Sequence, residues 1–336
     1  MFVEGIPAAP AAQPGGWAAG APTMSGQRPA GDEEHLLGPP APLAEDEQVA
    51  AGTFPGGAFA LVSLRGAVRP WNEDRAGTVL PPARDPPGHP PLFVVADGLG
   101  GHQAGEVAAE LAVSTTLAVF PRAAARPRQA LRAATRQAAL AVYDAGFEPG
   151  RSGMATTLTA LTFDAGEVVV AHVGDTRCYR WREGAVEQLT TDHSQVADLV
   201  RLGLLTPEQA ARHPGRSILT RCLGTAPGPP LDLVRRGLRA GDRLVLCSDG
   251  LWGLVERAEV AEAVRRFVPG DEAERAVDLD SLATRLGALV DHLAHRALAR
   301  GAPDNVTVLA VALEPGCPWL EAPSPRRRRW PFSRGS

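Results

Sequence analysis

Two apolar patterns organise this chain. Unbroken runs such as Leu92-Phe-Val-Val-Ala, Leu244-Val-Leu-Cys and Val306-Thr-Val-Leu-Ala read as buried strands, because they leave no polar face. Residues 58–64 alternate weakly and lead into Arg65-Gly66. Residues 156–163 and 168–173 read as a hairpin about Asp164-Ala-Gly166, and residues 179–181 and 186–189 as a second about Arg182-Glu-Gly184. Helical spacing carries Leu131, Ala134, Ala138 and Val142, and again Leu282, Leu286, Leu289, Val290 and Leu293, with Gly301 past the last turn. Thr206-Pro207-Glu208-Gln209 combines an N-cap, a Pro at the first helical position and a capping-box partner. The helices come in separated groups among hairpins, not in strict βαβ alternation. That order predicts an α+β layered fold, antiparallel sheets covered by helices. No G-x-G-x-x-G opens a helix after a strand, which argues against a doubly wound nucleotide fold.

The patterning stops near both ends. Residues 1–56 are rich in Ala, Pro and Gly with acidic patches at Asp32-Glu33-Glu34 and Glu45-Asp46-Glu47, too poor in core-forming side chains to offset ordering entropy, and read as a disordered leader. Met24 is an alternative start. Residues 315–336 form a Pro- and Arg-rich tail containing Arg326-Arg-Arg-Arg329-Trp330, read as a solvated basic end. One domain, residues 57–314, lies between.

Composition narrows the chemistry. In 336 residues the net charge is −4, so nothing advertises nucleic-acid binding. All 34 basic residues are Arg, which excludes Schiff-base and P-loop lysine chemistry. Cys178, Cys222, Cys247 and Cys317 show neither zinc nor disulfide spacing, which favours a reducing cytoplasm. No run is long enough for a membrane span, and no charged-then-apolar leader suggests a signal peptide.

The runs ending in Asp97-Gly98 and Asp249-Gly250, and the strand opened by Asp304-Asn305, place three carboxylates at strand lips. Asp-Gly alone makes turns. Three acids from distant parts of the chain are better read as converging on a hard cation, Mg²⁺ or Mn²⁺, which prefers oxygen ligands. Arg69 with Glu73 and Asp74 adds two acids beside an Arg, and Asp97-Gly98-Leu99-Gly100-Gly101-His102 supplies glycines that let a metal or phosphate approach the main chain.

Six segments in order, Asn72-Glu-Asp-Arg75, Asp97-Gly-x-Gly-Gly-His102, Gly153-x-x-Thr-Thr157, His172-Val-Gly-Asp-x-Arg177, Cys247-Ser-Asp-Gly-Leu-Trp252 and Pro303-Asp-Asn-Val-Thr307, resemble the metal-dependent protein phosphatases of type 2C. The similarity spans residues 58–313. It implies a β-sandwich flanked on both faces by helices (αββα), with a two-metal centre at one end. By that resemblance Asp97 bridges two Mn²⁺ or Mg²⁺ ions, the Gly98 carbonyl binds one, and Asp249 and Asp304 complete the other's shell. Glu73 and Asp74 hold metal-bound waters, Arg69 binds the substrate phosphate, and Asp175 with Asp249 takes a third metal. Residues 191–223 match the family's flap, with Ser217 near its end.

The implied function is a serine/threonine protein phosphatase in which a metal-bridging water attacks phosphorus directly. Its partners would be phosphorylated proteins and the kinases it opposes, and it would act as a cytoplasmic monomer. The alternatives are a partner-switching regulator and a pseudophosphatase, the latter disfavoured by the intact Asp97, Asp249 and Asp304. Some relatives carry His after Asp-Gly as an acid for the leaving alcohol; here that position is Leu99. His102, His172 and His193 read as structural.

Overall fold

Every residue of β2 (Gly57–Leu64) and β13 (Val306–Leu313) is buried, and each strand serves two cores. Phe59 and Leu61 of β2 and Leu309, Val311 and Leu313 of β13 point into the space between two sheets. Ala58, Ala60, Val62, Val308, Ala310 and Ala312 alternate with them and face helices. Burial on both faces is why β13 reads as a continuous apolar run and why β2 alternates only weakly.

The computed structural model describes residues 46–81, 89–99, 104–270 and 278–320. One six-stranded sheet runs β1 (Gln48–Phe54), β2, β13, β12 (Arg243–Cys247), β9 (Arg177–Arg182), β10 (Ala185–Gln188). The second has five strands, β11 (Asp232–Gly237), β8 (Glu167–Val173), β7 (Leu158–Asp164), β4 (Leu92–Ala96), β3 (Arg75–Val79). The pairings are antiparallel in both. Both predicted hairpins form, β7–β8 and β9–β10. On the outer face of the first sheet lie α6 (Arg257–Phe267) and α7 (Leu279–Ala299); on that of the second lie α1 (Gly105–Val119) and α2 (Pro127–Ala145). This is the expected αββα sandwich.

In α1, Gly105, Ala108, Ala109, Ala112, Val113, Thr116 and Leu117 are buried, while Val107 and Leu111 are half-buried. Small residues let the helix sit close to β3, where Gly77 meets Val113 and Leu117. Residues 191–223 hold two short helices, α3 (Gln195–Arg201) and α4 (Pro207–Ala211), the second with the predicted capping box. The bridge Thr156↔Leu223 pins this segment to the sandwich, while Ser194↔Leu219 ties the segment to itself.

Both domain boundaries move outward from the expected 57 and 314. β1, assigned to the leader, pairs along its whole length with β2. Its Phe54 ring packs 5.8 Å from Phe93, 6.4 Å from Phe163 and 6.2 Å from Trp319. Cys317 and Trp319, assigned to the tail, belong to the same inter-sheet core. An open sheet edge and an aromatic slot recruit segments whose own patterning is weak. Residues 1–45 and 321–336 lie outside the described residues. A chain begun at residue 57 is therefore expected to lose at least about 3 kcal/mol of stability relative to one begun at residue 46, as removal of a buried Phe alone costs. Urea denaturation of the two checks this.

Candidate active site

The strand ends that close the sandwich collect acids from five segments. Asp97 follows β4, and its backbone is held on both sides: its N–H donates to Thr157 Oγ1 at 2.9 Å, and its carbonyl accepts from Thr157 N and Thr156 Oγ1, each at 2.9 Å. Gly98 begins β5 (Gly98–Leu99), which pairs with β6 (Ala155–Thr156). A Cβ on Gly98 would stand 2.4 Å from the Gly105 carbonyl and 2.7 Å from that of Glu73, so only glycine lets these three segments meet. Asp249, expected at a strand lip, is the first residue of a one-turn helix, α5 (Asp249–Trp252), beyond β12. Asp304 lies between α7 and β13, and Asp175 in the turn between β8 and β9.

Asp74 is buried and accepts from Thr307 Oγ1 at 2.7 Å, while Thr307 also bonds Ser63 Oγ at 2.7 Å. Asn305 ties the cluster together. It accepts from Glu73 N at 2.8 Å and donates to the Arg65 and Trp71 carbonyls at 2.8 and 2.9 Å, while its own N–H donates to the Asp304 carboxylate at 2.9 Å. Arg69 donates to Asp304 at 2.7 Å and lies 3.6 Å from Glu73. The indole N–H of Trp252 donates to the Asp175 carbonyl at 3.0 Å, and the Arg177 guanidinium, paired with Asp192, stacks 3.7 Å above the Trp252 ring. Asp175 is thereby coupled to the helix that Asp249 opens.

The electrostatics are those of crowded, buried like charges. Burial, then the charges of Asp74, Asp249, Asp175 and Asp304, hold the Asp97 carboxyl well above the usual range. Burial pushes Asp74 up to about 7, reinforced by Asp249 and Asp304 and opposed by hydrogen bonds from Ser248 and Thr307. Asp175 is pushed up to about 8, first by burial and then by Asp249. Asp249 rises to about 6, through burial and Asp304, against Arg69 and a hydrogen bond shared with Asp97. Burial also raises Glu73. Such a set is neutralised by protons or by cations.

Among the described residues the acids do not close into a cage of three tightly grouped ligands. Their donor chemistry nonetheless fits hard dications: carboxylate oxygens that interact across one centre, and a Gly98 position kept free of side chain.

Ser217 stands apart from this cluster in sequence and is exposed between α4 and Leu219. His102 lies outside the described residues. His172 and His193 are structural. Their rings stack 4.8 Å apart; His172 bonds Thr159 and the Thr191 carbonyl, and His193 accepts from Gly174 N and meets Asp232. Burial, then His193, lowers His172 to about 3, which keeps it neutral. Sequence reasoning passed over Asn305, Thr307, Thr156 and Thr157. The signal available was their position inside the quoted motifs.

The chain belongs to the protein phosphatase 2C family, whose sequence profile matches residues 72–289. It is 37% identical over 258 residues to the serine/threonine protein phosphatase PstP of Mycobacterium tuberculosis, covering 75% of this chain but only 44% of that protein. It is 33% identical over 256 residues to the serine/threonine phosphatase Stp of Listeria monocytogenes, covering 74% of this chain and 92% of Stp. The crystal structure of the PstP catalytic domain in complex with two manganese ions superposes with a TM-score of 0.61 at 34% identity, over 77% of this chain and 98% of that one.

Proposed function

We propose that this chain hydrolyses phosphoserine and phosphothreonine in proteins, using two Mn²⁺ or Mg²⁺ ions. The observation that carries this reading is the convergence of Asp97, Asp249, Asp304, Asp74 and Asp175 at the mouth of an αββα sandwich, close enough for their charges to act on one another. When bound, the dications supply Lewis acidity toward phosphate oxygens and activate a water for in-line attack on phosphorus.

The remaining work falls to the chain. Asp97, the Gly98 carbonyl, Asp249 and Asp304 would hold the two ions, Glu73 and Asp74 would orient the water around them, and Asp175 with Asp249 would receive a third. Threonines 156, 157 and 307 fix the acids so that little reorganisation is needed during reaction. The cysteines Cys178, Cys247 and Cys317 are buried, with thiols raised by burial, so none is suited to act as a nucleophile. With Leu99 after Asp-Gly, the leaving alkoxide takes its proton from solvent held at the centre and not from an imidazole at that position.

Arg69 presents its planar fork to phosphate oxygens on exchanging its Asp304 partner for them. Arg69→Ala is expected to raise KM for a phosphopeptide at least about tenfold with a smaller fall in kcat, and Arg69→Lys to recover part of the loss. Steady-state kinetics decide this, and an unchanged KM in both variants assigns Arg69 to the ion pair with Asp304 alone.

The substrates are phosphoproteins made by opposing Ser/Thr kinases, and the setting is a cytoplasmic monomer. Among the described residues no helix is long and apolar enough to cross a membrane. Phosphate release from a phosphothreonine peptide, with Mn²⁺, Mg²⁺ or chelator in parallel, tests the whole reading. Activity that survives chelation overturns it.

A further inference from the structure

The loop between β2 and β3 carries Arg69, and two apolar side chains on either side of it stand in solvent: Val68 is 68% exposed and Trp71 63%. Single exposed apolar residues are ordinary on a protein surface. These two differ in that their loop cannot turn them inward. Gly66, at φ +81°, lies beneath the Asp304 carbonyl, where a Cβ would come within 2.1 Å. Ala67 N donates to the Ala302 carbonyl at 2.9 Å. Asn305 holds the Arg65 and Trp71 carbonyls, and Asn72 N donates to the Asp46 carboxylate at 2.5 Å. Pro70 removes one more backbone freedom. The loop is braced from four directions, and the Arg69 guanidinium it carries is anchored on Asp304.

A large aromatic carried on a braced backbone and already standing in water gains burial when something covers it, with little main-chain ordering left to do. What lies beside a phosphate held at Arg69 is the peptide flanking the phosphorylated residue. The nearby charges select its character: Glu73 and Asp304 repel acidic neighbours and leave apolar ones unopposed. We propose that Trp71, with Val68, forms an apolar lip that sets specificity by receiving an apolar side chain next to the phosphoserine or phosphothreonine of a protein substrate. This rests on the phosphatase reading above. Trp71 acts on binding and not on the phosphoryl group, so its effect belongs in KM and depends on the neighbouring residue.

The test compares three substrates on the full chain with saturating Mn²⁺: free phosphothreonine, a phosphothreonine peptide with Leu on both sides, and the same peptide with Ser in their place. The native chain is expected to favour the Leu peptide about tenfold in kcat/KM, as loss of one apolar contact changes affinity. Trp71→Ala should remove most of that preference through KM while free phosphothreonine changes by less than about twofold, and Trp71→Phe should keep most of it. Should Trp71→Ala not fold, Trp71→Gln and Val68→Ser carry the same comparison. Equal losses on both peptides, or an unchanged preference, overturn the lip. A native chain inactive on all three substrates overturns the phosphatase reading instead.

Discussion

Asp97→Asn is expected to lower phosphate release by on the order of 1000-fold or more while the domain stays folded. The backbone of Asp97 is held by Thr156 and Thr157 whatever the side chain carries, and Asn has the same shape, so local geometry survives. What disappears is one negative charge at the most crowded point of the cluster, where Asp74, Asp249, Asp175 and Asp304 all act on the same carboxyl. The consequence splits by measurement. Titration calorimetry should show weaker Mn²⁺ binding, steady-state kinetics should show turnover near background, and thermal melting in chelator should show a chain at least as stable as the native one. A variant that keeps kcat within tenfold of the native chain would remove Asp97 from the proposed bridging role.

The second large effect is on stability. In chelator, the melting temperature should fall by several degrees or more between pH 5 and pH 8. Asp249, Asp74 and Asp175 are held at about 6, about 7 and about 8, against about 3.9 for an unfolded Asp. The folded state therefore binds more protons than the unfolded state between about pH 4 and pH 8, and stability declines as pH rises through that window. Saturating Mn²⁺ should oppose the decline, because a dication binds the deprotonated acids and so binds more tightly as pH rises. Asp97→Asn should flatten the slope in chelator. Differential scanning calorimetry at several pH values, with and without Mn²⁺, reads all three. A chelated protein whose melting temperature is level across the window would mean the acids do not repel as described.

Much of this was legible in the chain. β4, β12 and β13 announce themselves as apolar runs because both of their faces are covered, and each of the three acids read first stands where such a run ends or begins. β1 was not legible: Gln48-Val-Ala-Ala-Gly-Thr-Phe has little strand patterning of its own, and it becomes a strand because the edge of β2 offers partners for its backbone. Trp319 was missed for a related reason, since a lone aromatic in a Pro-rich stretch acquires meaning only from Phe54 and Phe163 beside it. The half-exposed β11 escaped because an edge strand needs no apolar face. At the site, the acids were visible by charge and position. Asn305 was not, because a small neutral amide shows its use only when its four partners are known.

That amide also makes the site sensitive to one particular covalent change. Asn305 spends its two N–H groups on the carbonyls of Arg65 and Trp71 and its oxygen on Glu73 N. Hydrolytic deamidation exchanges the NH₂ for an oxygen, a change of a single mass unit that leaves the outline of the side chain intact. The aged residue would aim an anionic oxygen at two carbonyl oxygens and add another negative charge next to Asp304.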